Sequence, residues 1–104
     1  MLRIYDFGVE TLRMLKPVVA TIASHDPDLA RQLRRAATSM LLNLAEGSGC
    51  RAGTRKQRYY DVLGSTRESA ACLDAADALG YCALDAPLRD RFERITATLL
   101  NVVR

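Results

Sequence analysis

The sequence predicts an all-α protein with the architecture of an up-down-up-down antiparallel four-helix bundle. Almost every segment repeats its apolar residues at steps of three and four, as on one face of an α-helix. No segment alternates between apolar and polar residues for long, which argues against strands. Three short segments rich in Gly, Pro, Ser or Asp separate four such patterns, and short connections place consecutive helices antiparallel.

The first predicted helix runs from about Ile4 to Ile22. Pro17 lies inside it and lacks a backbone N–H, so we expect a kink or a break there. Asp26 followed by Pro27 is typical of a helix N-cap and first helical residue, and predicts the start of the second helix. The apolar stripe of the first helix is Ile4, Phe7, Leu12, Leu15, Val19 and Ile22.

The second helix is predicted to end at Gly47-Ser48-Gly49. Thr54 and Gln57 have the spacing of a capping box, which predicts that the third helix opens at Thr54. The apolar residues of the second helix are Leu29, Leu33, Ala36, Ala37, Met40, Leu41 and Leu44. Those of the third are Tyr59, Tyr60, Leu63, Ala70, Leu73 and Ala76.

Leu79-Gly80-Tyr81 predicts a left-handed glycine cap at the end of the third helix. Asp85 and Pro87 then open the fourth helix. Its apolar stripe is Leu88, Phe92, Ile95, Leu99 and Val102. Three apolar side chains fall off the main stripes and suggest surface that a second copy covers, namely Leu41, Leu42 and Val103.

The second and third helices are expected to form a hairpin whose turn centres near residues 50 and 51. That register places Gly64 opposite Ala37, where two small residues would let the backbones approach closely. It also places Glu68 beside the second-helix arginines, and Glu46 opposite the start of the third helix. The expected charge pairs are Glu68 with Arg34 or Arg35, and Glu46 with Arg55.

The chain has 104 residues, which suits one domain over residues 1–104. No apolar run approaches the roughly 20 residues of a membrane span, and charges interrupt the N-terminal apolar residues. Three widely spaced cysteines, at positions 50, 72 and 82, suit reduced thiols better than disulfides. We therefore expect a cytoplasmic protein that contacts no membrane.

Charge is unevenly distributed along the chain. Residues 27–67 hold eight basic and three acidic side chains, a net charge of +5, whereas residues 68–104 hold four and six, a net charge of −2. A basic middle segment can contact a polyanion. It can equally contact the acidic last third of the same chain or of a neighbouring copy, so both interpretations stay open here.

The residues that catalysis or metal binding would need are sparse. A di-iron centre in a helical bundle needs two Glu-x-x-His motifs, but His25 is the one histidine and lies in a predicted loop. No two cysteines have zinc-site spacing, and Ser39, Ser65 and Ser69 have no second histidine to act as a base. We expect no catalytic residue, no cofactor and no metal.

The start of the third helix is the candidate site for nucleic acid. Free N–H groups and the positive end of the helix dipole can hold a phosphate. Tyr59 and Tyr60 follow and could stack on bases, or one or both could belong to the core or to a subunit contact. The candidate phosphate ligands are Arg51, Arg55, Lys56 and Arg58.

Three motifs resemble those of the four-helix-bundle family of 23S rRNA intervening-sequence proteins. The family pattern reads approximately R-R-A-A-x-S-I-x-x-N-I-A-E-G, then G-S-x-x-E and L-G-Y. This chain has Leu33-Arg34-Arg35-Ala36-Ala37-Thr38-Ser39-Met40, Asn43-Leu44-Ala45-Glu46-Gly47, Gly64-Ser65-x-x-Glu68 and Leu79-Gly80-Tyr81.

The resemblance implies a four-helix bundle that assembles as a ring, a homopentamer, and brings no catalytic residues. A relative, the accessory protein of diversity-generating retroelements, forms a basic pentamer and works with a reverse transcriptase and nucleic acid. The resemblance thus implies RNA or DNA as a partner, with a purely structural or protein–protein adaptor role as the alternative. The polar signature positions, interpreted as structural rather than ligand-binding, are Arg34, Arg35, Asn43, Glu46, Ser65 and Glu68.

Overall fold

The computed structural model describes residues 2–49 and 52–103 and confirms the four-helix fold. No strand occurs in these two segments. Consecutive helices pack against each other, and the fourth closes the bundle against the first. The helices are α1 (Leu2–Ala23), α2 (Pro27–Ser48), α3 (Ala52–Ala78) and α4 (Ala86–Val103).

The predicted helix ends at Asp26, Gly80 and Asp85 are confirmed by their hydrogen bonds. The Asp26 carboxylate accepts a hydrogen bond from the Leu29 backbone N–H at 3.0 Å, and α2 begins at the proline between them. The Asp85 carboxylate accepts one from the Leu88 N–H, also at 3.0 Å, and caps α4. Gly80 has φ +77°, the left-handed conformation that glycine adopts without strain, and ends α3.

Helix α1 continues through Pro17, so the break that was one of the two expected outcomes does not occur, and residues on both sides of the proline, among them Leu15 and Ile22, are buried in the core. The expected opening of the third helix at Thr54 is wrong. Helix α3 begins at Ala52, a strong helix former, so Thr54 lies inside the first turn instead of capping it. The Gln57 amide donates to the Asp61 carboxylate at 3.3 Å.

The core runs along the bundle axis and follows the predicted stripes, with exceptions at Tyr60 of α3, which is exposed, and at the end of α4. Val103 is buried, whereas Val102 is 54% exposed. The stripe therefore ends with a step of four from Leu99, which keeps the last side chain over the core. The molecule is an elongated rod of 42 × 21 × 19 Å. The largest fully buried apolar side chains are Tyr59, Phe92, Ile22, Leu33, Met40, Leu44, Leu88, Ile95, Leu99 and Val62.

The close approach between α2 and α3 occurs at Gly47, not at the predicted pair of Gly64 and Ala37. Gly64 is exposed, with no atom within 4 Å of the position where a Cβ would lie, whereas Ala37 is fully buried. A Cβ on Gly47 would lie 2.4 Å from Cε1 of Tyr59, a ring that is 1% exposed. The glycine therefore provides the space that the tyrosine ring fills.

One arginine of α4 links that helix to α1. The Nε of Arg91 donates to Oγ1 of Thr11 at 2.9 Å, and its Nη2 donates to the Phe7 carbonyl at 3.0 Å. Its guanidinium carbon also lies 3.8 Å from the centroid of the Phe7 ring, within the range of a cation–π contact. The hydroxyl of buried Thr11 thereby gains a partner across the bundle.

Helices α3 and α4 share an ion-pair cluster at their surface. Arg89 donates from Nε and Nη2 to the two carboxylate oxygens of Asp74, at 3.0 and 3.1 Å, and from Nη1 to Glu93 at 3.0 Å. The hydrogen bond to Asp74 is the main cause of a raised pKa for Arg89.

Within the described segments, no helix combines the length and apolar character needed to cross a lipid bilayer.

Candidate nucleic-acid interface

The six signature side chains lie on one surface, formed by neighbouring turns of α2 and α3. We call this surface, with the Ser39 and Arg58 side chains beside the signature residues, the α2–α3 face. Two open grooves of about 390 and 530 Å³ cross it, the first mainly polar and the second of mixed character, and both contain Arg35 and Ser39. The signature residues that line one groove or the other are Arg34, Arg35, Asn43, Glu46, Ser65 and Glu68.

Hydroxyl and amide groups connect the two helices at the centre of this face. The Ser65 hydroxyl donates to Oγ of Ser39 at 3.0 Å. The Asn43 amide donates to the Ser39 carbonyl at 3.0 Å and to its Oγ at 3.3 Å, and accepts from Nη1 of Arg58 at 3.3 Å. Four residues of the α2–α3 face are thus joined in one network, Ser39 and Asn43 of α2 with Arg58 and Ser65 of α3. Such contacts are those that a structural role for Asn43 and Ser65 requires, and that role stays a prediction.

The predicted pairing of Glu68 with Arg34 or Arg35 is wrong. The Glu68 carboxylate accepts instead from the Gln32 amide of α2 at 3.4 Å, and no basic nitrogen of the described residues lies within 4.0 Å of it. Arg34 and Arg35 are exposed, and their guanidinium groups have no carboxylate partner in the part of the chain that the structure describes. Two cations of the face are therefore available to an external anion.

Replacing Glu68 by alanine is therefore expected to lower the free energy of unfolding by less than about 0.5 kcal/mol, as for an ordinary surface change. The single long hydrogen bond to Gln32 is exposed and contributes little. Urea denaturation of the variant and the parent protein measures the difference. A loss of several kcal/mol would show that the glutamate has a buried cationic partner after all.

The candidate residues at the start of α3 divide into different roles. Arg58 lies 3.8 Å from the Glu46 carboxylate, so the ion pair of Glu46 is made one turn further along α3 than predicted. Nε of Arg55 donates to the Gly47 carbonyl at 3.2 Å and so contacts the end of α2. Lys56 is exposed, and Arg51 lies outside the described residues.

The two tyrosines after this segment differ in how far they are buried. Tyr59 is packed in the core and cannot stack on a base, whereas Tyr60 is 48% exposed. The α2–α3 face therefore combines guanidinium and hydroxyl donors without a buried pocket. Such donors suit the phosphate oxygens of a nucleic acid and carry no base-reading pattern.

The other candidate chemical groups lie away from this face. His25 is exposed and its ring stacks on Tyr81, with centroids 5.5 Å apart and planes 12° apart. Cys72 is buried in the core, as predicted, and burial raises the pKa of its thiol. A thiol with a raised pKa carries little of the thiolate that reacts as a nucleophile. No group of three or more metal-ligating side chains occurs within residues 2–49 and 52–103.

Comparison with known proteins agrees with the motif resemblance. The sequence profile of the 23S rRNA-intervening sequence proteins matches residues 6–101, which include the core of all four helices and every signature position. No curated protein and no solved structure shows significant similarity to the chain. The extent of the profile match decides the assignment: this chain belongs to the family of 23S rRNA-intervening sequence proteins.

Proposed function

We propose that the protein is a non-catalytic, self-assembling helical bundle, a ring-shaped homopentamer, that binds RNA or DNA without sequence preference through its α2–α3 face. The observation that carries this proposal is the pair Arg34 and Arg35. Both guanidinium groups are exposed and unpaired within the described chain, and they lie beside the hydroxyl network of Ser39.

The dimensions of the face support contact with a nucleic-acid backbone. Arg35 and Asn43, the partner of Arg58, are eight residues apart on one helix, a rise of about 12 Å. A strand carries a phosphate every ~3.4 Å along a duplex axis, so this distance spans several phosphates. Arginine binds phosphate oxygens with two parallel N–H donors, which fits recognition of the backbone and not of the bases.

Exposed apolar side chains support the assembly part of the proposal. Leu42 is 59% exposed and lies in the same groove as Arg34, and Val102 and Leu100 are exposed on α4. A second copy would remove such groups from water. A ring would also present several copies of the basic face, so that weak contacts at each copy add to useful affinity.

Leu42 also favours a second candidate function, a purely structural or protein–protein adaptor oligomer. A large exposed apolar side chain inside a basic groove is unusual for a surface that contacts only phosphates. In this alternative, Arg34 and Arg35 pair with carboxylates of a neighbouring subunit or of another protein, and nucleic acid has no part.

The deciding experiment compares Arg34→Gln/Arg35→Gln with a matched control, Arg13→Gln/Lys16→Gln, which removes the same charge from exposed positions of α1. An electrophoretic shift assay at low and moderate salt is expected to show at least about a tenfold weaker affinity for RNA and DNA in the first variant. Wild-type binding should fall steeply with salt, since released counterions drive it. Replacing Arg55 and Arg58 would be less informative, because both contact α2.

Light scattering behind a sizing column is run on every variant. Equal affinities of the two double variants would show that the α2–α3 face does not hold the nucleic acid. An intact ring that retains no RNA or DNA even at low salt would favour the adaptor function. A monomer at micromolar concentration would contradict the assembly proposal.

A further inference from the structure

A second cluster of arginines lies on the side of the bundle opposite the α2–α3 face. Because consecutive helices pack together and α4 closes on α1, the pair α1–α4 is the bundle edge opposite α2–α3. We call this surface the α1–α4 cluster; it comprises Arg3, Arg91 and Arg94 around the ring of Phe7, with Thr98 beside them.

Arg91 is held in place by neutral groups and not by an ion pair. Its Nε and Nη2 donate to two neutral oxygens, the Thr11 hydroxyl and the Phe7 carbonyl, and its plane lies over the Phe7 ring. No ion pair joins it to a carboxylate of residues 2–49 and 52–103. A guanidinium held by neutral groups keeps its full attraction for an anion.

One nitrogen of that guanidinium remains available. In the described part of the chain, no buried side-chain nitrogen or oxygen lacks a hydrogen-bond partner. Among the described residues, Nη1 of Arg91 has no hydrogen-bond partner, so it is not fully buried. It can therefore donate to a ligand without any movement of the arginine.

Arg94 and Arg3 add two exposed cations to Arg91. The guanidinium carbon of Arg94 lies 5.1 Å from the centroid of the Phe7 ring. Arg3, Arg94 and Thr98 line a cleft of about 180 Å³, a volume that suits a phosphate group. Asp6 and Asp90 on the same two helices are exposed, and neither lies within 4.0 Å of a basic nitrogen of the described residues.

We propose that the α1–α4 cluster is a second phosphate-binding site, so that one subunit contacts two strands of nucleic acid on opposite sides. The ligand groups that line the cleft are the guanidinium forks of Arg3 and Arg94 and the Thr98 hydroxyl. Arg91, over the Phe7 ring of the same cleft, adds positive charge beside them. The identity of the ligand as a phosphodiester backbone rests on the proposed function, whereas the anion site itself rests on the geometry of this cluster.

The test measures how many strands one subunit binds. A short fluorescein-labelled oligothymidylate is titrated against Arg3→Gln/Arg94→Gln, Arg34→Gln/Arg35→Gln and the control Arg13→Gln/Lys16→Gln. Wild type and control are expected to bind two strands per subunit, and each of the other two variants one. Arg91 is left unchanged because it holds α1 to α4. Thermal melts verify that each variant is folded.

Each outcome separates the two proposals. If Arg3→Gln/Arg94→Gln still binds two strands, the second site does not exist. If that variant loses all binding while Arg34→Gln/Arg35→Gln is unaffected, the α1–α4 cluster is a site and the α2–α3 proposal fails. A second titration uses inorganic phosphate alone. Tight binding of phosphate that Arg3→Gln/Arg94→Gln abolishes, with no strand bound there, would overturn the assignment to a nucleic-acid backbone.

Discussion

Replacing Gly47 by alanine is expected to lower the free energy of unfolding by about 1–3 kcal/mol, the usual effect of overpacking a core. The added Cβ would lie 2.4 Å from Cε1 and 2.9 Å from Cδ1 of Tyr59. Carbon atoms do not approach so closely, so the ring or the helix must shift. The ring is almost completely buried, so a shift of the ring must displace other side chains of the close-packed core.

The matched control is Gly64→Ala, the same change at a helical position with an empty surrounding. Nothing lies within 4 Å of its Cβ position, so alanine brings only its higher helix propensity and should stabilise by about 0.5–1 kcal/mol. Urea denaturation monitored by circular dichroism compares both variants with the parent. If both glycine replacements stabilise equally, the space beside Gly47 is not filled by the tyrosine ring.

The contrast in surroundings between Gly47 and Gly64 shows where sequence reasoning about this fold succeeds and where it fails. Helical periodicity and the capping residues at Asp26, Gly80 and Asp85 predicted the four helices, since both signals act within a few residues along the chain. Which glycine of α2 or α3 meets the other helix depends on the register between the helices. The register predicted from the sequence placed the close approach at Gly64, whereas in the structure it occurs at Gly47.

The candidate site was likewise predicted only in part: its residues were identified, but their partners were not. Resemblance identified the signature residues, and the structure places them on one face. The partners of Glu68 and Glu46 differ from prediction by a turn or less, and in opposite directions, because several polar side chains of the other helix lie within reach of each carboxylate. Periodicity alone does not determine that choice, since it fixes which side of a helix is buried but not which exposed side chains meet.

Arg91 was missed for a different reason. It contacts Thr11, 80 positions away, and no motif connects them. A weak signal existed, because Arg91 lies at the border of the apolar stripe of α4, one position before Phe92. A long cationic side chain at that border covers the neighbouring helix with its stem and reaches polar groups with its head. The contact follows only once α1 is known to lie beside α4.

Replacing Arg91 by alanine is accordingly expected to lower the free energy of unfolding by about 1.5–3 kcal/mol, the range for hydrogen bonds from a charged donor. The variant loses both hydrogen bonds to α1 and the contact with the Phe7 ring. The interface of α1 with α4 is the smallest between neighbouring helices of the bundle, so these contacts carry a larger share of its stability.

Arg94→Ala is the matched control, since it removes the same charge from the same helix and contacts the same ring. Arg94 makes no hydrogen bond to α1 and lies further from Phe7, at 5.1 Å, so its loss should amount to less than about 1 kcal/mol. Arg91→Lys should restore only part of the lost stability, because one ammonium cannot reproduce the two directed bonds of the guanidinium to Thr11 and Phe7. Urea denaturation of the three variants gives the order. Equal losses for Arg91→Ala and Arg94→Ala would mean that charge near Phe7, and not the hydrogen bonds across the bundle, stabilises the closure of α4 on α1.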